Sequence, residues 1–563
     1  MTQLINDDNQ NLLDILEKDW QYILKNIPEM ATFLGEHQYN DKLTDLSEQA
    51  LSTRYKHSLD ILEELKRIDL TILSEENKIN YQLFYEKVDN EIKEFNFKTY
   101  LMPMNQMDGV QNSFIQTLQM MPFKKEIDFK NYLSRLKSVS SYIDQTINLM
   151  KLGIKDGYTV PKAAIINVIR QVTDQIPDDY KKSLYYNLIE KENKNLSVSL
   201  RQDIETAIKN NVYPAFLKLA TFLDEEYLPS CRNSFGLSDL PNGKSYYDHK
   251  LKTMTTTNLT AEEIHQIGIS EVSRIYQEMM ALAKSVGFNG SYNDFLENLK
   301  NNPDLYFTNA KDLMMTYRDI AKRADKELPA FFKVLPRLPY GVEEIPAHQA
   351  SSYPTAYYMP PDMTMTRAGI FYANTHQLNI RPKYEMEALT LHEAVPGHHL
   401  QIALSLELDN LPKFRRMATA DYTGYIEGWG LYSEKLGAEM GFYTDPYAKF
   451  GQLSFEIWRA CRLVVDTGLH AFNWDRGKAI AYMQENTGKS EGACAVEVDR
   501  YMSIPGQATA YKIGELKILE LRKRFEERKD EDFDIREFHD VILRNGALPL
   551  SVLENYVDSY LAS

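Results

Sequence analysis

The chain has 563 residues, of which 43% are hydrophobic and 26% are charged, a composition typical of globular proteins and not of disordered or fibrous ones. Its formal charge of −16 has the wrong sign for a protein that follows a phosphate backbone or an anionic membrane. Three cysteines, far apart in the chain, support neither a disulfide framework nor a cysteine-rich metal site. We therefore expect a soluble protein of a reducing compartment, without nucleic-acid or membrane partners.

The N-terminal segment does not resemble a secretory signal. Asp7 and Asp8 stand where a signal peptide would be apolar, and no uncharged apolar run reaches the roughly 18 residues that a membrane span requires. These features predict a cytoplasmic location.

Helical periodicity dominates most of the chain. Between residues 130 and 153, apolar side chains recur in steps of three and four and so share one helix face, with Gly153 as the expected stop. Thr260 and Glu263 have the spacing of a capping box before another long helix. The same periodicity predicts helices over residues 11–26, 76–95, 200–223, 516–528 and 552–561.

Loop-like composition and strand signals are local. Turn-forming residues gather at 229–244, which predicts a boundary between an N-terminal helical lobe (1–230) and the remaining region (231–563), the two forming one integrated unit. Residues 369–374 and 378–380 are rich in β-branched and aromatic side chains and predict a short strand or hairpin. The expected fold class is mainly α with a small β-sheet.

Three of the eleven histidines lie in the segment 392–399, His-Glu-Ala-Val-Pro-Gly-His-His. Histidines at positions i and i+4 of a helix bind zinc on one face, and the adjacent glutamate then serves as general base. The spacing here differs from that pattern. In a regular helix His398 would lie on another face than His392, and His399 would lie about 10 Å further along the axis.

Pro396 and Gly397 indicate how the chain can return a histidine to the metal. Pro396 removes a helical hydrogen bond and disfavours helical dihedrals at Val395, and Gly397 can adopt a positive φ at low cost. A bulge over these residues would absorb the extra length. The alternative is a helix that ends at Val395 and is followed by solvated histidines, and the residues favour the metal site over it.

The segment His392 to Gln401, His-Glu-Ala-Val-Pro-Gly-His-His-Leu-Gln, resembles the signature of the family named domain of unknown function 885, which is grouped with the zinc-dependent gluzincin metallopeptidases. Further similar stretches run along essentially the whole chain. They cover residues 246–247, 255–257, 367–375, 427–434, 462–470, 505–514 and 538–540. The resemblance implies a large two-lobed helical fold around a deep cleft, a small β-sheet next to the metal-binding helix, and a zinc ion as cofactor.

The resemblance also implies the metal ligands. A catalytic zinc takes three protein ligands and a water, and the implied set is His392, His398 and Glu427. The family pattern favours His398 as the second histidine, with His399 as the alternative. Glu434, in the same stretch as Glu427, is the alternative third ligand.

Catalytic roles follow from the same resemblance. Glu393 is the implied general base, which takes a proton from water and passes it to the leaving amine. Tyr511 is the first candidate for a donor to the oxyanion and His470 the second, although each has an equal claim to a purely structural role in the core. Asp466 either orients a metal ligand or is an ordinary aspartate of a helix surface.

Substrate contacts are expected close to the metal-binding helix. In related peptidases the strand that corresponds to residues 369–374 lines the cleft, and an extended peptide adds to its edge. Lys512 and Arg381 are candidates for binding a substrate carboxylate. The residues expected to contact the substrate or to support the ligands are His399, Arg367, Tyr372, Asp466 and Gln507.

The leading hypothesis is a zinc-dependent hydrolase that cleaves peptide bonds of short peptides. A first alternative keeps the metal and changes the substrate to a non-peptide or N-acyl amide. A second alternative is an inactive helical scaffold that binds peptides without turnover. The partner is a peptide or small amide in each case, and the sequence selects neither an exo- nor an endopeptidase.

Overall fold

The computed structural model of the protein describes residues 8–191, 196–346, 350, 354–362, 367–417 and 421–562. It is 71% helical and contains one small three-stranded sheet, so the mainly α prediction is confirmed. The chain divides into two compact units, residues 1–243 and 244–563. Across the described ranges, no helix is both long and apolar enough to cross a membrane. The deep cleft between two lobes stays a prediction.

The first unit is built around one long helix, Glu126–Asp156, which buries an apolar face that includes Tyr132, Leu136, Val139 and Ile143. Two π-helical segments, Ile208–Val212 and Leu223–Tyr227, interrupt its later helices. The other α-helices of this unit are Asp8–Asn26, Pro28–Phe33, Glu48–Leu65, Glu75–Asn96, Val110–Gln119, Lys162–Ile165, Val168–Thr173, Leu184–Lys191, Val198–Ala207, Tyr213–Phe222 and Leu228–Ser230.

Four helices of the second unit carry most of the candidate functional residues. The motif helix is Met386–Glu393, the glutamate helix Thr423–Leu436, the central helix Pro446–His470 and the tyrosine helix Gln507–Lys529. The remaining α-helices are Gly243–Thr255, Ala261–Ser285, Tyr292–Asn301, Ala310–Phe331, His398–Leu406, Lys413–Arg416, Arg476–Thr487, Glu491–Ser503, Ile535–Leu543 and Leu550–Ala562. The central helix is buried on nearly all sides, and its buried residues include charged ones such as Glu456, Arg459 and Asp466.

The sheet consists of β1 (Tyr340–Glu344), β2 (Ala356–Met359) and β3 (Gly369–Ala373) in the order β1-β3-β2. The central strand β3 runs parallel to β1 and antiparallel to β2. The predicted strand is therefore present, but the hairpin is wrong, because Leu378–Ile380 forms a 3-10 helix. Gln377 adopts a left-handed conformation (φ 53°) and turns the chain away before a second strand can form.

Two predicted helix boundaries also differ from the structure. The helix predicted to stop at Gly153 continues to Asp156 and is capped by Gly157 in a left-handed conformation. A Cβ atom at Gly153 would lie 2.7 Å from the carbonyl oxygen of Leu101, so this glycine serves close packing. The helix predicted over 200–223 is divided by a π-helical segment, whereas the capping box at Thr260 is confirmed.

Close packing between the glutamate helix and the tyrosine helix depends on glycine. A Cβ atom at Gly428 would lie 2.5 Å from the backbone of Gly514, and one at Gly514 would overlap the carbonyl oxygen of Gly424. The absence of side chains at these positions lets the two backbones touch. This contact fixes where the glutamate helix presents its carboxylates.

We expect Gly514→Ala to destabilise the second unit by roughly 1–3 kcal/mol, because the added methyl group meets backbone atoms that cannot move aside. Gly492→Ala is the matched control, since a Cβ there faces open space within another helix and should be neutral or stabilising by up to about 1 kcal/mol. Thermal unfolding of both variants measures the difference. Equal midpoints for the two variants would contradict the packing described.

An aromatic cluster supports the other side of the glutamate helix. Tyr432 donates its hydroxyl hydrogen to His539 Nε2 over 2.7 Å, and His539 Nδ1 donates to the carbonyl oxygen of Phe331 over 2.8 Å. The imidazole stacks on Phe332 and is fully buried. Burial lowers the pKa of His539 to about 3, so the ring is neutral.

We expect the buried, neutral ring of His539 to lower the free energy of unfolding as the pH falls below 6.5. The unfolded chain protonates a histidine near pH 6.5 and the folded chain does so only near pH 3, so the unfolded state binds more protons between these values. Lowering the pH from 6.5 to 4.5 should therefore cost the wild type about 2 kcal/mol more than His539→Gln. Urea unfolding at each pH measures this difference. His376→Gln, which removes an exposed ring, should behave like the wild type.

Candidate metal centre

The motif helix ends where the unusual spacing begins. Its last residue is Glu393, Ala394 leaves helical geometry (φ −97°, ψ −113°), and a new helix starts at His398. The two histidines therefore lie on two successive helices and not on one bulged helix. Gly397 has φ −74°, so it does not use the positive φ that glycine allows. Glycine is needed here for another reason, because a Cβ atom would overlap the carbonyl oxygen of His392.

This break brings three predicted ligands together. One ligand atom each from His392, His398 and Glu427 lies within 4.8 Å of the other two. Glu427 Oε2 is 3.5 Å from His392 Nε2 and 3.4 Å from His398 Nε2, and the two imidazole rings are nearly perpendicular. Glu427 Oε2 is buried without a hydrogen-bond partner. A carboxylate oxygen between two ring nitrogens fits a divalent cation with histidine and carboxylate ligands.

Glu434 lies on the opposite side of the His392 ring. His392 Nδ1 donates a hydrogen bond to Glu434 Oε1 over 2.8 Å, and Glu434 is fully buried. Arg459 approaches the same carboxylate oxygen at 3.4 Å. Because Nδ1 keeps its proton in the bond to Glu434, loss of the second ring proton would leave the lone pair on Nε2, on the side of Glu427, where a metal would bind. Glu434, the alternative ligand from the sequence, therefore holds the ring nitrogen that faces away from Glu427.

The electrostatics of His392 and Glu427 are coupled. Burial lowers the pKa of His392, but the nearby carboxylates of Glu427 and Glu434 raise it to about 9. Burial raises the pKa of Glu427, but the two histidines hold it well below its usual range. Two carboxylates thus surround one imidazole, an arrangement that attracts a proton or a metal cation.

His399 has a different environment from His398. Tyr358 on β2 donates its hydroxyl hydrogen to His399 Nδ1 over 2.9 Å, and Nε2 donates to the carbonyl oxygen of Leu338 over 3.1 Å. Burial lowers the pKa of His399 to about 4. Both ring nitrogens are occupied by neutral partners, so His399 supports the sheet next to the motif helix and has no lone pair for a metal.

Gln401 positions the ring of His398. Its Nε2 atom lies 2.9 Å from His398 Nδ1 and 2.9 Å from the carbonyl oxygen of Ile426. Metal binding through Nε2 of the imidazole requires the proton on Nδ1. For that tautomer the Gln401 side chain would have to turn its Oε1 atom toward Nδ1 and give up the hydrogen bond that Nε2 donates to Ile426.

Glu393 and Tyr511 lie next to these ligands. Glu393 is half-buried at the end of the motif helix and makes no hydrogen bond or ion pair with any residue that the structure describes. Burial raises the pKa of Tyr511, and the negative charge of Glu427 raises it further. Gln507 Nε2 donates to the Tyr511 hydroxyl over 3.1 Å. A free carboxylate and an oriented phenol therefore flank the three ligands.

His470 and Asp466 have structural partners. His470 Nε2 donates to the carbonyl oxygen of Tyr501 over 3.1 Å. Asp466 accepts hydrogen bonds from the Tyr247 hydroxyl (2.6 Å) and from the backbone N–H of Gly506 (3.1 Å), and burial raises its pKa to about 7. Neither residue contacts a metal-ligand candidate among the described contacts. The described carboxylate that accepts from His392 Nδ1 is Glu434 and not Asp466.

The strand residues belong to the sheet surface. Tyr372 stacks on Tyr357 with ring centroids 5.1 Å apart, and Arg367 donates to the carbonyl oxygen of Pro360 over 3.1 Å. The central strand β3 has both edges paired, so the expectation that a peptide adds to its edge is wrong. Among the described strands, β1 and β2 form the two edges of the sheet.

The two basic residues considered for a substrate carboxylate are already engaged. Lys512 is fully buried, and its Nζ atom lies 2.8 Å from Glu456 and 2.6 Å from Glu515. Arg381 donates through Nε to the carbonyl oxygen of His376 over 2.7 Å. Both residues therefore stabilise the fold where they stand.

Comparisons with known proteins agree with this architecture. A protein of Colwellia psychrerythraea with a solved structure is 29% identical, has a TM-score of 0.94, and each chain covers 99% of the other. A protein of Shewanella oneidensis is 16% identical with a TM-score of 0.76 over 98% of this chain and 100% of its own, which shows the fold alone. Both were described as putative lipoproteins, the second of unknown function. No curated protein matches the chain significantly.

A family model described as "Bacterial protein of unknown function (DUF885)" matches residues 28–557. The match includes every residue of the candidate metal centre and nearly the whole of both compact units. The chain belongs to the DUF885 family.

Proposed function

We propose that the protein is a zinc-dependent hydrolase that cleaves peptide bonds of short peptides. The observation that carries the proposal is the convergence of His392, His398 and Glu427, with a buried Glu427 oxygen that no hydrogen-bond donor satisfies. Nitrogen and oxygen donors of this kind suit zinc, and three of them leave room for a further ligand, as in catalytic sites.

Zinc bound by these residues would supply Lewis acidity that polarises a carbonyl group and acidifies water. Glu393, next to His392 and unpaired among the residues that the structure describes, would accept the proton of the attacking water and return it to the leaving amine. Glu434 would keep His392 in the tautomer that presents Nε2. Tyr511 would donate a hydrogen bond to the oxyanion that develops on the carbonyl.

The proposed metal centre predicts that substitution of His398 weakens zinc binding and that substitution of the neighbouring His399 does not. We expect the purified protein to bind one equivalent of zinc, and His398→Ala or Glu427→Gln to weaken the affinity at least about 100-fold, because each loses one ligand. His399→Gln is the matched control and should stay within a few-fold of the wild type, since its ring nitrogens face Tyr358 and Leu338.

Competition with a chromophoric chelator, with zinc content measured by mass spectrometry, gives these affinities. A protein without stoichiometric zinc would contradict the metal centre. Equal losses in the His398 and His399 variants would contradict the ligand assignment.

If Glu393 is the general base, its substitution should reduce turnover without loss of bound zinc. Glu393→Gln should lower kcat by about 100-fold or more while zinc content is unchanged, because the amide cannot accept a proton. Glu485→Gln, an exposed glutamate of another helix in the same unit, is the control that should retain full activity.

Mass spectrometry of a mixture of short peptides and N-acyl amino acids provides the assay. Peptide products that disappear in the Glu393 variant support the proposal. Cleavage restricted to the N-acyl compounds would indicate the amidohydrolase alternative, and unchanged activity of the variant would exclude Glu393 as the base.

A further inference from the structure

The central helix carries two buried donor groups that lack acceptors. Arg462 is 8% exposed, and its Nη1 atom has no hydrogen-bond partner in the described part of the chain. Trp458 lies one turn earlier on the same helix face, and its Nε1 atom is likewise buried without a partner. The Arg462 guanidinium carbon lies 5.8 Å from the centre of the indole ring. Neither group can accept a hydrogen bond, so each can be satisfied only by an acceptor that the described residues do not supply, such as water or a bound ligand.

The charges around Arg462 are also unbalanced. Arg462 Nη2 and Arg500 Nη2 donate to the same oxygen, Glu497 Oε2, over 3.1 and 3.2 Å. The Tyr501 hydroxyl donates to that oxygen as well. One carboxylate thus serves two guanidinium groups, so these three side chains carry a formal excess of one positive charge; Asp466 and Glu427 lie further away and act electrostatically on Arg500 and Tyr511. Buried arginines are normally paired, so the excess marks a place for an anion.

This positive group lies beside the candidate metal centre. The guanidinium carbon of Arg462 is 4.5 Å from the ring centre of Tyr511, the residue whose hydroxyl experiences the charge of Glu427. Arg459, three positions before Arg462 on the central helix, reaches Glu434, which holds His392. Tyr511 therefore has the arginine on one side and the metal ligands within electrostatic range.

We propose that Arg462 binds the free carboxylate of the substrate, so that the bond cleaved is the one before the C-terminal residue. This inference rests on the proposed function. A carboxylate has two acceptor oxygens, which suit the forked geometry of a guanidinium and the nearby indole N–H. The reaction is hydrolysis: the amide C–N bond breaks, the carbonyl carbon gains OH, and the amine nitrogen gains the proton.

Binding to the metal-free protein tests the carboxylate site without relying on turnover. Calorimetry after chelator treatment should show that N-acetyl derivatives of alanine, leucine, phenylalanine and lysine bind at least about 10-fold more tightly as free acids than as amides for the preferred side chain. Removing zinc ensures that the metal does not capture the carboxylate. Equal affinity of acid and amide for all four pairs would overturn the inference, and this comparison needs no variant.

The variants assign the effect to one side chain. Arg462→Met should reduce the acid-to-amide preference to within about two-fold, and Arg462→Lys should keep part of it because the charge remains. Arg524→Met, which removes an arginine that pairs with Glu554 on the protein surface, should keep the full preference. A folded Arg462→Met or Arg462→Lys protein that retains the whole preference would overturn the assignment.

The zinc-loaded enzyme separates this inference from the proposed function. N-acetylated tetrapeptides should be cleaved at the last bond as free acids and at least about 100-fold more slowly as C-terminal amides. Equal rates for acid and amide would overturn the carboxylate site while leaving the hydrolase intact. If no peptide is cleaved, the proposed function fails, and the binding comparison still decides the carboxylate site.

Discussion

Two carboxylates of one helix hold opposite nitrogens of the His392 ring, and the candidate centre depends on this contact. Glu427 and Glu434 are seven positions apart and so project from the same face of the glutamate helix. Glu427 Oε2 lies 3.5 Å from Nε2 of the imidazole, and Glu434 Oε1 lies 2.8 Å from Nδ1. Gly430 stands between them, where a Cβ atom would be 2.7 Å from the ring. Glu427 and Glu434 thus contact the two nitrogens of the His392 ring, and Gly430 leaves the space that the ring occupies.

This arrangement needs a positive charge, which a proton on His392 or a metal ion can supply. Burying a carboxylate oxygen without a donor costs free energy, and Glu427 Oε2 has no hydrogen-bond partner among the described residues. His398 completes the surroundings only because the chain breaks between Glu393 and His398 and begins a new helix. The fold therefore maintains a site whose buried charge a metal ion would balance. Glycines at the helix contacts, above all Gly514, make the approach possible.

Much of this could be predicted from the sequence, since it depends on local pattern. Helical periodicity predicted the long helices, and the motif with its family resemblance predicted the three ligands that the structure brings together. The contact between Glu434 and the His392 ring joins two separate helices, so residue spacing in the sequence does not reveal it. The pairing of Lys512 with Glu456 and Glu515 cannot be predicted from the sequence, because a buried lysine and a surface lysine look alike until the surrounding carboxylates are placed. The central position of β3 likewise depends on strands from elsewhere in the chain.

Arg462 extends the account from the metal to the substrate, because its unsatisfied donor and excess charge lie next to Tyr511. Both proposals depend on a zinc ion at His392, His398 and Glu427. A crystal structure of the zinc-loaded protein, with anomalous diffraction at the zinc edge, tests it most directly. We predict one strong peak about 2.0–2.2 Å from His392 Nε2, His398 Nε2 and a Glu427 oxygen. A peak bound by other residues, or no peak near these three side chains, would contradict the account.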